Sequence, residues 1–120
     1  MAESNDNNQH HLPLTPAVFH ILLALADGEK HGYAIMREVE CSTGGQVSMG
    51  PGTLYGAIKR LLKSGLIAET AERPDPSLDD SRRRYYTLSA QGQEVLAAET
   101  ERLMGMIDSA RRKNILGAVS

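Results

Sequence analysis

The chain has one cysteine, Cys41, no tryptophan and one phenylalanine among its 120 residues. A single thiol cannot close an intramolecular disulfide, so packing must hold the fold, and a reducing compartment, by default the cytoplasm, is expected. With only four tyrosines besides, the core has to be built from Leu, Ile, Val, Ala and Met. Long apolar runs are also missing. The longest, Ile21 to Ala26, falls far short of the roughly 20 residues that a membrane-spanning helix needs. No basic start precedes an apolar stretch at the N-terminus, so no secretory signal is expected. A Gly-rich phosphate loop, a catalytic carboxylate pair and a Ser/His/Asp arrangement are all lacking, which argues against an enzyme. Metal-ligand clusters are lacking too: Cys41, His20 and His31 form no recognisable set, and His10 and His11 sit in a polar stretch without periodicity. Neither a metal nor another cofactor is expected.

An excess of basic charge is the last absence, since the formal net charge is −2. For a polyanionic partner, however, the location of charge matters more than its total. Between Gly50 and Gly65 stand Lys59, Arg60 and Lys63 with no acidic residue, and between Ser81 and Gln93 stand Arg82, Arg83 and Arg84, again with none. The positive charge is segregated into two short segments.

The length allows one compact domain with some additional helix. Residues 1–12 are polar and aperiodic and read as a disordered tail. Thr15 and Pro16 then open a first helix as N-cap and first helical residue, with Leu14 and Phe19 placed as a hydrophobic staple. Val18, Ile21, Leu22 and Leu25 continue it at helical spacing to Asp27-Gly28. A second helix is expected from His31 to Ser42, with Ile35, Met36 and Val39 inward and Arg37, Glu38 and Glu40 outward. His31 suits a surface or helix-start role. Gly32 would admit another backbone at close range, and Cys41 is expected to pack as a small apolar residue.

Pro51 to Gly65 is the most informative segment. Leu54, Ile58, Leu61 and Leu62 form an apolar stripe. The opposite stripe is Gly52, Gly56, Lys59, Arg60 and Lys63, bare in its first half and cationic in its second. Each glycine lowers helix stability by roughly 1 kcal/mol relative to alanine, and close backbone approach to a partner would compensate. Such a helix can press its first turns into a groove while its basic end holds phosphates.

Residues 66–73 and 82–88 read as two strands, with Tyr86 and Leu88 on one face of the second and Tyr85 and Thr87 on the other. The turn-rich stretch from Pro74 to Ser81 joins them. The order is helix, turn, helix, then an exposed β-hairpin. Ser89 caps a last helix reaching about Arg112, on which Leu96, Leu103, Ile107 and Ala110 step by 7, 4 and 3, close to a coiled-coil seam. A three-helix core this small cannot cover that helix, so a second copy is the expected partner. The fold class is therefore mainly α with a small β-hairpin: a winged helix-turn-helix domain over 13–88 and a dimerisation helix and tail over 89–120.

HGYAI at His31 to Ile35, GPGTLYGAIKRLLKSGLI at Gly50 to Ile67 and RRRYYTLSAQG at Arg82 to Gly92 are specific in combination. With them the chain resembles the PadR family of winged-helix transcriptional regulators, over about Leu12 to Met106. The resemblance implies a homodimer, most often a repressor, with its third helix in the major groove and its wing on phosphate or minor groove. Thr53, Tyr55 and Lys59 would contact DNA, and the full expected set is Tyr33, Ser48, Gly52, Thr53, Tyr55, Gly56, Lys59, Arg60, Lys63, Arg82, Arg83 and Arg84. The expected partners are double-stranded DNA with an inverted-repeat operator, a second copy of the chain, and a small apolar or aromatic effector between the subunits, where Met104 and Met106 would line an adaptable pocket. The chain departs from some relatives in having no tryptophan platform on the last helix, and it places Asp75, Asp79 and Asp80 beside the wing arginines. The alternatives are a winged helix used for protein contacts and a metal-responsive sensor.

Overall fold

The computed structural model describes residues 11–70, 84–115 and 117. Most of the expected tail, together with Arg82, Arg83 and the acidic hairpin tip, lies outside the described residues. The elements run α1 (Pro16–Ala24), β1 (Lys30–His31), α2 (Gly32–Ser42), α3 (Pro51–Ser64), β2 (Ile67–Glu69), β3 (Tyr85–Leu88) and α4 (Ala90–Arg112). None of the described helices is long and apolar enough to cross a membrane.

The Oγ1 of Thr15 accepts the Val18 N–H at 3.2 Å, and Pro16 fills the first turn of α1. The helix buries Ile21, Leu22 and Ala24 and stops at Leu25, ahead of the expected Asp27-Gly28. Leu12, placed in the tail by its polar surroundings, packs against the core together with Leu14 and Phe19. In α2, His31 is the N-cap: its Nδ1 accepts the Ala34 N–H at 3.2 Å. Ile35 and Val39 of this helix are buried. Cys41 is exposed, contrary to the packing role expected of it. It lies on the solvent side of α2 with Arg37 and Glu40.

Helix α3 buries Leu54, Ala57, Ile58 and Leu61. It ends at Gly65 in the left-handed region (φ 83°), where the Leu66 N–H reaches back to the Leu61 carbonyl at 3.0 Å. That geometry favours glycine and turns the chain sharply into the sheet. The sheet is antiparallel with strand order β1-β3-β2. Ile67 pairs with Leu88 and Glu69 with Tyr86, as a hairpin requires. The third strand, β1, was not legible in the sequence, because two residues carry no periodicity. It exists through pairing, Lys30 with Tyr86 and His31 with Tyr85. Tyr86 is buried on the face it was expected to share with Leu88, which packs against the core.

Ser89 caps α4, accepting the Gly92 N–H at 3.0 Å and donating to the Gly65 carbonyl at 2.6 Å. The first half of α4 buries Gly92, Val95, Leu96 and Glu99 against its own domain. Leu96 therefore corrects the expected seam: it is 7% exposed in the single chain and belongs to the core. The stripe splits because a helix leaving a small domain first completes that domain and only then projects from it.

Glu99, an unexpected core residue, is 2% exposed. Its carboxylate accepts two hydrogen bonds from the Arg102 guanidinium, at 2.6 and 2.9 Å, and one from the Leu14 N–H at 3.1 Å. The Arg102 hydrogen bond, against the opposing effect of burial and with help from the Leu14 N–H, holds the carboxyl below its ordinary value. A depressed carboxyl stabilises the fold fully at pH well above the unfolded value of about 4.3 and loses that contribution as pH falls through the folded value. Glu99→Gln should therefore denature at lower urea than the wild type at pH 7. The gap should narrow as pH drops below about 4, and a gap independent of pH would show that the ion pair contributes nothing.

Candidate nucleic-acid interface

On α3 the buried positions 54, 57, 58 and 61 leave a continuous opposite face open to solvent. Gly52 and Thr53 are exposed, a Cβ added to Gly52 would meet nothing within 4 Å, and one added to Gly56 would meet only the Arg60 guanidinium at 3.8 Å. The first two turns thus offer nearly bare backbone. Lys59, Arg60 and Lys63 follow on the same open side, all exposed.

Ion pairing sharpens the charge segregation. Lys30 pairs with Asp27 and Glu38, Arg84 with Glu69 at 3.6 Å, Arg102 with Glu99 and Arg111 with Asp108. Among the described residues, Lys59, Arg60 and Lys63 have no carboxylate within 4.0 Å, and neither does Arg37 on α2. An exposed paired cation has already spent much of its field on its partner, whereas a free one can replace a counterion on a phosphate. Arg84, one of the expected wing cations, is the less available for its pairing with Glu69.

Three elements meet at the start of α2. The His31 ring lies edge-on to Tyr85 of β3 with centroids 5.4 Å apart, and stacks on Tyr33 at 6.5 Å. Gly32 receives the Tyr55 phenol from α3, and a Cβ at Gly32 would sit 2.3 Å from the Tyr55 hydroxyl oxygen. The close approach expected at Gly32 is real, but a side chain makes it rather than a backbone. Tyr55 consequently does two things. One edge of its ring sets α2 against α3, while the residue remains 38% exposed on the open side. Tyr33 is 56% exposed, and Ser48, in the turn ahead of α3, is exposed as well. The structure thus gathers Tyr33, Tyr55 and the α3 set around one helix-turn-helix unit. Sequence reasoning passed over Arg37 as merely outward, although its i, i+4 spacing from Tyr33 was there to be read. No group of three or more His, Cys, Asp or Glu side chains among the described residues is placed to hold a metal ion.

The sequence profile of the transcriptional regulator PadR-like family matches residues 21–98. The chain belongs to the PadR-like family of transcriptional regulators. The match runs from the core of α1 to the buried part of α4, so it contains the whole helix-turn-helix and hairpin. An uncharacterized 37.1 kDa protein in transposon TN4556 of Streptomyces fradiae is 38% identical over 90 residues, which are 72% of this PadR-like chain and 24% of that protein. The chain thus spans about a quarter of the length of this relative. Among solved structures, Bacillus subtilis PadR in complex with operator DNA superposes with a TM-score of 0.60 at 26% identity, covering 72% of this chain and 46% of that one. A PadR family transcription regulator from Clostridium difficile R20291 superposes with a TM-score of 0.66 at 21% identity, covering 86% and 100%. The latter likeness supports the fold.

The far half of α4 in this PadR-like chain is uncovered. Met104 (55%), Met106 (52%) and Ile107 (49%) are exposed, as is Ile115 just beyond, whereas Leu103 and Ala110 are half-buried.

Proposed function

We propose that this PadR-like chain is a sequence-specific DNA-binding regulator, acting in the cytoplasm as a homodimeric repressor on an inverted-repeat operator. The observation that carries this reading is the open face of α3, bare at Gly52 and Gly56 and then positive with three side chains that have no carboxylate within 4.0 Å among the described residues. In this reading Thr53 and the free edge of Tyr55 read base edges, while Lys59, Arg60 and Lys63 hold the backbone. Tyr33, Ser48 and the wing arginines 82–84 complete the DNA-binding set. Pairing through Leu103, Ile107 and Ala110 sets the two α3 helices about one DNA turn apart, roughly 34 Å. The Bacillus subtilis relative, solved in complex with operator DNA, supports the DNA-binding part of this reading. A small apolar or aromatic effector acts between the subunits by changing that spacing, with Met104 and Met106 as adaptable lining.

The test is the salt dependence of binding. The wild type should show a steep linear fall of log K with log salt on operator and on mixed-sequence duplex alike. Lys59→Ala should flatten the slope by about 1 for each phosphate it no longer neutralises, hence about 2 in a dimer. A folded dimer with no steep salt dependence would refute DNA binding, and a Lys59→Ala slope equal to wild type would refute the role of α3.

A further inference from the structure

We propose that Tyr33 and Arg37 form a phosphate clamp on α2, a DNA contact separate from α3 in which the Tyr33 ring holds the Arg37 guanidinium in place. This rests on the DNA-binding reading above and adds a second point of grip.

Tyr33 is the most exposed aromatic residue described, at 56%. A tyrosine so open is not placed there by packing. The Arg37 guanidinium carbon lies 5.8 Å from the centre of its ring, within the range of a cation–π contact. Arg37 had a simpler partner available, because Glu40 stands one turn further along α2. At i, i+3 an ion pair between the two is sterically easy. No such pair forms, and the guanidinium leans back over Tyr33 toward the start of the helix. The other nearby carboxylate, Glu38, is engaged by Lys30 at 3.5 Å. Arg37 thus keeps its full charge, on a side chain whose freedom is already reduced.

The ring that holds it is itself held. Tyr33 stacks on His31 with an interplanar angle of 13°, and His31 packs edge-on against Tyr85 of the wing strand. The neighbouring residue, Gly32, is the seat of Tyr55 from α3. The clamp is therefore in rigid register with both the reading helix and the base of the wing. When α3 lies in the major groove, the preceding helix of a helix-turn-helix crosses the sugar-phosphate backbone. A planar guanidinium there can meet a phosphate with two parallel N–H donors, and little side-chain entropy remains to be lost. The contact is to phosphate, so it strengthens binding without selecting sequence.

The experiment measures binding to a mixed-sequence duplex across salt concentrations, on variants checked for an unchanged melting transition. Arg37→Ala should flatten the log–log slope by about 2 per dimer, one phosphate in each subunit no longer being neutralised. Tyr33→Ala should flatten it partway, and the double variant should lose no more than Arg37→Ala alone. Tyr33→Leu, which keeps apolar bulk without the ring face, should behave as Tyr33→Ala does and covers the case in which alanine unsettles the helix. An unchanged slope for Arg37→Ala beside a flattened one for Lys59→Ala would overturn the clamp and leave the DNA-binding reading standing. Unchanged slopes for both would overturn the clamp together with the role of α3. A Tyr33→Leu slope equal to wild type beside a flattened Arg37→Ala would overturn the holding role of the ring.

Discussion

Gly92→Ala should cost the fold about 2–4 kcal/mol, enough to threaten a domain whose total stability is about 5–15 kcal/mol. A Cβ at this position would lie 1.9 Å from the Leu66 carbonyl oxygen, 2.9 Å from its carbon and 3.2 Å from the Leu88 Cδ2. The first two atoms are backbone at the bend where α3 hands over to β2, and they cannot swing aside. Helix α4 would have to retreat instead. The retreat opens the hydrogen bond from Ser89 to the Gly65 carbonyl and the one from the Ser89 N–H to the Leu66 carbonyl. It also lifts Val95 and Leu96 from the core. Weakening these interelement hydrogen bonds costs about 1 kcal/mol, and forced backbone shifts cost about 1–3 kcal/mol more. The melting temperature should drop by roughly 8–16 °C, at roughly 4 °C per kcal/mol for a chain of this size. Gly52→Ala is the internal control. Nothing lies within 4 Å of its added methyl, so the free protein should hold or gain up to about 1 kcal/mol from helix propensity. Equal melting temperatures for Gly92→Ala and wild type would show that the α4–Leu66 contact is not fixed.

The second large effect concerns association. Leu103→Asp combined with Ile107→Asp should give a monomer at micromolar concentration in sedimentation, and should weaken operator binding by about 10²–10⁴ because the two half-sites are no longer engaged together. Helix α4 has 23 residues, about 35 Å of length. Its last buried side chain in the chain itself is Glu99. Beyond that point the apolar side chains at 103, 104, 106 and 107 have no full cover within one copy. Burying each against a second copy is worth about 1.5–3 kcal/mol. A symmetric interface repeats each substitution, so the double variant places four carboxylates where apolar contacts would form. Leu96 must be left out of the test, since its removal would damage the core instead of the interface. A dimer that persists unchanged would move the interface to another surface.

Much of this was legible in the sequence because the determinants are local. Thr15-Pro16, Ser89 and Gly65 announce helix ends through chemistry that acts within one turn. The apolar spacing on α3 determined which side is core. Its two glycines and three cations marked the other side by their spacing alone. The fold class followed from these pieces, and the family resemblance from the motifs HGYAI, GPGTLYGAIKRLLKSGLI and RRRYYTLSAQG read together.

What only the tertiary structure decided involves partners far apart in the chain. Glu99 looks like any surface acid on a polar helix, yet it lies buried where α1 packs on α4, with the Leu14 N–H, 85 residues away, donating to it. Leu96 fits a dimer seam by spacing, yet the domain beneath it claims it first. Two residues become β1 only because β3 lies alongside. Gly32 needed room for a reason the local sequence could not supply, since the ring that fills the space comes from Tyr55. Arg37, which has no carboxylate within 4.0 Å among the described residues, leans over the Tyr33 ring instead, while Glu38 is engaged by Lys30. Periodicity records which side of an element is apolar. It carries no record of which distant group arrives to cover, pair or crowd that side, and here those arrivals set the Glu99 contacts, the close fit at Gly32 and the edge of the core on α4.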